Sequence, residues 1–336
     1  MGYSHQQGGN GNIVEPWNGN TMGNLVPGAP RPKTPFQTAL TFVPELWVNQ
    51  FTASLRTHFE IGPVVLETTS AYMHDHVHQK SDTDGSPVIA SQNLFLQDTD
   101  RSQSHEVRFL SDTNDKFKWI LGAFFYDMKG DVKTTGDNAN PPTFRPVVTS
   151  VRTPEATVQS MAVFGEATLA LTDRLKVTGG LRYTTENRSW IQYFNGNILV
   201  PRQKTSYDKA TYRGIIQYEF AEKSNIFVSY STGFKSGLFN TFGSTPLDRV
   251  APETIDAWEV GVKSDPLPWL RTNISAFHYD YKNLQVVARV PDAFGAVSYR
   301  LLNAASSKIY GGEVEIQALL PAGFSIAASG SYLHAR

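Results

Sequence analysis

A two-residue rhythm constrains this chain more than anything else in it. Phe51, Ala53, Leu55 and Phe59 alternate with Thr52, Ser54, Arg56 and His58. Leu175, Val177, Leu181 and Tyr183 alternate with Lys176, Thr178, Arg182 and Thr184. The same beat returns in Trp258, Val260 and Val262 against Glu259 and Lys263, in Tyr310, Val314 and Ile316 against Gly311, Glu313, Glu315 and Gln317, and in Phe324, Ile326 and Tyr332. A helix places like residues three or four apart, so none of these stretches suits one. Each reads as a strand with one apolar and one polar face.

The connections sort by length. Short turns fall near 60–63, 112–115, 172–174, 221–224, 265–268 and 321–323, while longer irregular stretches fall near 80–101, 131–157, 195–206, 236–253 and 288–297. Short and long connections alternate, which predicts an antiparallel up-and-down meander of about twelve strands. Several strands exceed the usual 3–10 residues. No apolar run approaches the roughly 18 residues a membrane helix needs, and the longest candidate, Trp119–Tyr126, has strand length. If the chain crosses a membrane, it must do so as a β-barrel, because lipid offers the backbone no other hydrogen-bond partners. The expected fold class is therefore all-β: an antiparallel, up-and-down transmembrane β-barrel.

Composition narrows the function. Charged residues are only 18% and aromatics 12%, which argues against disorder and suits a surface that does not mainly face water. A formal net charge of −1, with no long Lys/Arg run, gives no footprint for nucleic acid. Cysteine is absent, which excludes disulfides, thiolate metal sites and a cysteine nucleophile. Residues 1–30 are polar and glycine-rich, with no apolar signal-peptide core.

The segment "NIFVSYSTGFKSGLFN" (225–240) combines these features. Ile226, Val228 and Tyr230 face lipid, Asn225, Ser229 and Ser231 face a lumen, and Thr232–Asn240 leaves the bilayer, with Tyr230 and Phe234 in an aromatic girdle. By the same alternation Val260, Val262, Val314, Ile316, Leu181 and Tyr183 point to lipid. Glu259, Lys263, Glu313, Glu315 and Arg182 point inward.

Several segments resemble, in order, the barrel of TonB-dependent outer-membrane receptors, especially the branch common in sphingomonad-type bacteria. They are "HEVRFLS" (105–111) with "FKWILGAFFYD" (117–127), "FGEATLALTDRLKVTGGLRYTTE" (164–186), "FVSYSTGFKSGLFN" (227–240), "APETIDAWEVGVKS" (251–264), "ISAFHYDYKNLQV" (274–286) and "NAASSKIYGGEVEIQ" (303–317). The resemblance runs from about residue 48 to the end. It implies 48–336 as a partial receptor barrel of about twenty-two strands in all, with 1–47 an irregular extracellular loop region. The family's plug domain and TonB-contacting box are not visible here, and "SYLHAR" (331–336) reads as mid-barrel, so the chain is expected to be an interior portion of a longer receptor. The function implied is uptake of a scarce, bulky nutrient across the bacterial outer membrane with energy from the TonB complex. A ferric siderophore is the default ligand, no cofactor is expected, and outer-membrane lipid is a further partner. A passive porin is the alternative; an outer-membrane hydrolase would need a Ser/His pair that is not evident.

Candidate sites are few. Phe234, Lys235, Phe239 and Phe242 form an aromatic–basic group at a loop base, suited to an anionic aromatic chelate or to girdle packing. In "HDHVH" (74–78) the three histidines share one strand face, but they spread over about 13 Å, too far for one metal ion. "DTDG" (82–85) begins like a calcium loop but lacks the later ligands, and reads as a turn. Glu313 and Glu315, and Arg182 with Glu186, lie in same-face pairs with no nucleophile motif beside them, as lumen-lining charges do. No catalytic or metal site is expected.

Overall fold

The alternation becomes strand nearly everywhere. The computed structural model describes residues 2–8, 40, 42–82, 93–111, 116–139, 146–239, 249–291 and 297–336. In chain order the strands are β1 (Gly2–Gly8), β2 (Glu45–Ile61), β3 (Val64–Asp82), β4 (Asn93–Ser111), β5 (Phe117–Ala139), β6 (Pro146–Ala170), β7 (Leu175–Phe194) and β8 (Asn197–Ala221). β9 (Ser224–Lys235), β10 (Leu238–Phe239), β11 (Arg249–Val250), β12 (Glu253–Leu267), β13 (Leu270–Pro291), β14 (Val297–Leu319) and β15 (Ser325–Ala335) complete the set. Thirteen of them make one sheet in which each pairs antiparallel with the next, with β10 and β11 set apart as a small ribbon between β9 and β12. No α-helix occurs among the described residues. The sheet has two ends, β1 and β15, and is an open arc of barrel wall.

The expected short turns that fall within the described residues are present; that at 112–115 lies outside them. Gly62–Pro63 joins β2 to β3, Glu222–Lys223 joins β8 to β9, and Pro268–Trp269 joins β12 to β13. The expected long connections are largely replaced by strand. β5 and β6 reach Ala139 and Pro146, and β4 begins at Asn93, so much of 80–101 and 131–157 is sheet. The span 195–206 is a hairpin closed by Asn195 and Gly196, at φ of 48° and 82°. Asn-Gly accepts the left-handed backbone that a tight hairpin needs, and the mainly apolar residues flanking it, Tyr193, Phe194 and Ile198 among them, are the paired tips of β7 and β8. The region 1–47 also needs correction: Gly2–Gly8 is a strand paired to β2, with Gly2 opposite Thr52 and Gly8 opposite Leu46.

Register fixes the faces, because directly opposed residues share one side of a sheet. One row runs Phe59, Leu66, Phe109, Leu121, Gly165, Leu181, Tyr212 from β2 to β8. Another runs Tyr218, Ile226, Val262, Ile274, Val314, Gly330 from β8 to β15. This face is apolar and uncovered: Leu55 is 65% exposed, Val163 61% and Leu181 59%. In water such a continuous apolar face would be untenable; in a bilayer it is the lipid face. All the residues expected to point to lipid lie on it, and Glu259, Lys263, Glu313, Glu315 and Arg182 lie on the other.

β5 shows where the bilayer ends. Its lipid-side positions read Phe117, Trp119, Leu121, Ala123, Phe125 and then Asp127, Lys129, Asp131, Lys133. Nine residues of apolar band match the 9–11 that a tilted membrane strand requires. On β12 the band begins at Trp258, whose ring lies 4.5 Å from Tyr230, itself 5.9 Å from Tyr212. These rings form the girdle expected around Tyr230. The Tyr230 hydroxyl donates to Asp256 Oδ1 at 2.9 Å, so the polar tip is satisfied while the ring stays in lipid.

Candidate functional site

Opposite the lipid face, the sheet lines a lumen with charges and flat aromatic rings. Arg108 pairs with Glu67 (Nη2 to Oε2, 2.9 Å) and Glu106 (Nε to Oε1, 3.2 Å). Arg213 on β8 pairs with Glu166 on β6. The Arg182 guanidinium lies 5.4 Å from the centre of the Phe124 ring and 5.3 Å from that of Phe164, and its Nε donates to Thr184. Lys263 Nζ lies 5.4 Å from the centre of the Phe227 ring. Phe164 and Phe227 each lie opposite a glycine, Gly122 and Gly261, and Phe277 lies opposite Gly311. A Cβ at Gly122 would stand 2.7 Å from Phe164 Cε2, and one at Gly261 2.6 Å from Phe227 Cε1. The bare glycine lets each ring lie down on the wall, with the half-buried Arg182 over Phe164 and the exposed Lys263 over Phe227 on the lumen side.

Above the membrane the wall carries a small core. Trp190, Val200 and Phe239 are buried together, and the Trp190 and Phe239 rings stack at 6.0 Å. This fastens the β9–β12 connection to the tips of β7 and β8. Gln285 of β13 holds the same connection, donating through Nε2 to the Ser236 and Ala251 carbonyls. Asn303 of β14 receives the Ala251 amide and donates to the Ala251 and Asn283 carbonyls. On β3 and β4, Asp75 lies opposite Asp100, with Asp98 on the same face. Burial first, then the neighbouring Asp98 and Asp75, pushes the Asp100 carboxyl up to about 6.

The structure separates the predicted aromatic–basic group. β9 continues as strand to Lys235, so Phe234 and Lys235 point to opposite faces: Phe234 with Tyr230 and Thr232 on the lipid side, Lys235 on the lumen side and exposed. Phe239 is 4% exposed and belongs to the core with Trp190 rather than to an open surface. Phe242 lies outside the described residues, as do 83–85 of the acidic turn. The expectation had the strand stop near Ser231, and four further residues of alternation divide the group.

The three histidines share the lipid-side face but each has its own partner. Arg101 Nε donates to His74 Nδ1 at 3.2 Å, His76 Nδ1 is 2.9 Å from Thr99 Oγ1, and the His78 ring lies 5.0 Å from that of Trp47. Arg182 and Glu186 are not a pair either, since Glu186 binds Arg188 at 2.6 Å. No group of metal-ligating side chains that could hold an ion is found among the described residues. Sequence reasoning passed over Trp190, Gln285 and the Phe–Gly pairs, because strand alternation reports the face of a residue and not its cross-strand partner.

Comparison with known proteins agrees with this architecture. Residues 2–335 match the family model described as TonB dependent receptor-like, beta-barrel. No curated protein sequence is significantly similar. Among solved structures, the chain resembles the ferric yersiniabactin uptake receptor FyuA from Yersinia pestis at 16% identity and a TM-score of 0.72, covering 87% of this chain and 43% of that one. The copper transporter OprC is similar at 13% identity and a TM-score of 0.67, covering 88% and 50%. The siderophore receptor PiuA from Acinetobacter baumannii is similar at 16% identity and a TM-score of 0.64, covering 87% and 47%. The chain thus spans about half the length of these structures or less. The family consists of transport receptors rather than enzymes, and its place is the outer membrane of Gram-negative bacteria. A lipid-facing apolar band, a charged lumen and a family match over nearly every residue lead to one conclusion: the chain belongs to the TonB-dependent receptors and forms β-barrel wall in the outer membrane.

Proposed function

We propose that this barrel wall serves TonB-energised uptake of a bulky metal chelate, most simply a ferric siderophore. The near-complete family match carries the reading. It is supported by solved structures whose titles name a ferric yersiniabactin uptake receptor and a siderophore receptor. The lumen chemistry is compatible. Exposed Lys235 and the ring-backed Arg182 and Lys263 offer cations to an anionic, aromatic chelate. The energy-coupling partner would be TonB, acting through a plug region.

The test is growth of an iron-starved host, lacking its own receptors, on a panel of ferric siderophores with the full-length gene supplied. Growth that requires both the gene and TonB is the expected result. Growth that persists without TonB, or steady ion conductance of the protein in planar bilayers, would favour a passive porin instead.

A further inference from the structure

The histidine motif, unused by the uptake reading, lies in a basic sector on the outside of the barrel. On the lipid-side face the top of the apolar band is the row Ser70, His105, Phe125, Met161. The next row is Tyr72, Gln103, Asp127, Gln159, and the one above it is His74, Arg101, Lys129, Thr157. Two rows farther, His78, Gln97, Lys133 and Arg152 are aligned, with His76, Thr99 and Asp131 between. Two row steps along a strand tilted by roughly 40° raise Arg101 and Lys129 about 10 Å above the apolar edge. The head-group layer is about 5–8 Å thick on each side of a bilayer, and flexible side chains reach down to it.

The charge balance is one-sided. Asp131 is occupied by Arg152, whose Nε donates to Oδ1 at 3.0 Å, and Asp127 accepts from Gln159 Nε2 at 3.0 Å. Among the described residues Arg101 spends only its Nε, on His74. Lys129 and Lys133 are exposed and make no ion pair among the described residues. The sector formed by β12 to β14 differs: its lipid-side row above the girdle reads Asp256, Asp280, Lys308, and Asp256 is already bound by Tyr230 and Lys282. Excess cation beside the head groups is therefore a property of β3 to β5 and not of the whole rim.

We propose that His74, Arg101, Lys129 and Lys133 form an outward-facing site for the anionic head group of an outer-leaflet lipid. The guanidinium gives two parallel donors to a phosphate or carboxylate, the lysines add point charge, and the exposed apolar band directly below takes the acyl chains. This occupant meets the protein from the membrane side and is independent of whatever passes through the lumen.

The experiment uses the protein purified from outer membranes and placed in lipid nanodiscs of phosphatidylcholine mixed with phosphatidylglycerol as the anionic probe. Lipids retained after delipidation are quantified by native mass spectrometry. Preferential retention of phosphatidylglycerol is expected, falling about fivefold for each of Lys129→Gln and Lys133→Gln, and unchanged by Lys176→Gln on the lumen face. Lys129→Arg with Lys133→Arg should keep the preference, which separates loss of charge from loss of fold. No preference in the unaltered protein, or one that survives both Gln substitutions, would overturn the proposal. So would thermal stabilisation by inorganic phosphate equal to that by phosphatidylglycerol, which would mark a site for a soluble anion.

Discussion

Glu166 on β6 and Arg213 on β8 form an ion pair across the intervening strand, and the residue standing between them on β7 is Gly180. Neighbouring strands are about 4.8 Å apart, so side chains two strands apart meet only if nothing rises between them. A Cβ at position 180 would lie 3.1 Å from Glu166 Oε2, already tight, and a branched side chain would fill the path. Gly180→Val should therefore uncouple the pair. In a double-mutant cycle, Glu166→Gln with Arg213→Gln should show a coupling of about 0.5–1 kcal/mol in the native background, as expected for a pair this exposed. The coupling should vanish in the Gly180→Val background, as read from urea unfolding in bilayers. Coupling that persists would mean the pair does not depend on the glycine.

The two faces predict unequal tolerance of charge. Val314 lies in a lipid-facing row with Val262 and Ile274, and Glu315 beside it points to the lumen. Val314→Arg should cost about 2–4 kcal/mol in a bilayer-folded receptor, whereas Glu315→Arg should cost well under half of that. Equal costs at the two positions would contradict the facing.

That facing was legible in the sequence because alternation states it residue by residue: Leu181 and Arg182 needed no structure to be assigned to opposite sides. The hairpin at Asn195–Gly196 is also signalled in the sequence, since Asn-Gly stands between the apolar runs 190–194 and 198–200, but the polar stretch 201–206 that follows disguised it as part of a long irregular connection. Phe239 was misplaced for another reason. It follows Lys235 closely in sequence, but its burial depends on Trp190, 49 residues away and three strands back in chain order. Composition could not have shown that contact, and no local motif signals it.

At the mouth, Asp100 offers a pH test. It lies beyond the apolar band on β4, on the lumen face, with a folded-state carboxyl at about 6 against 3.8 for the ordinary group. A raised carboxyl disfavours the folded state fully above its folded value and is relieved as protons bind, so stability should rise as pH falls from about 7 through 6 toward 4. Asp100→Asn should be more stable than the parent at pH 7 and lose this rise. Urea midpoints measured over that pH range would show it, and a parent that weakens steadily from pH 7 to 5 with no difference from the variant would refute it.

Division of the predicted group sharpens the uptake test. Lys235→Ala should lower uptake of an anionic ferric chelate by about two- to fivefold, and less at high salt, because an exposed charge is screened. Phe234→Ala, on the lipid side, should leave uptake unchanged. A loss confined to Phe234→Ala, measured with radiolabelled iron, would reverse the assignment of faces.

The length of β8 has a consequence for what happens at the cell surface. It runs 25 residues, of which about ten cross the bilayer, leaving the rest to climb roughly 40 Å into the medium at a tilt near 40°. Arg202, Lys204 and Lys209 stand in water along that climb, and they are residues a trypsin-like protease seeks. A protease must draw its target into its cleft as a single unpaired strand. Here Lys204 is laddered opposite Ser189 and Lys209 opposite Thr184, and Arg202 reaches across to Ser189 and Glu155. Carrying the sheet far above the lipid as paired strands turns exposed basic residues into poor cleavage sites, and so armours the part of the wall that stands in the medium.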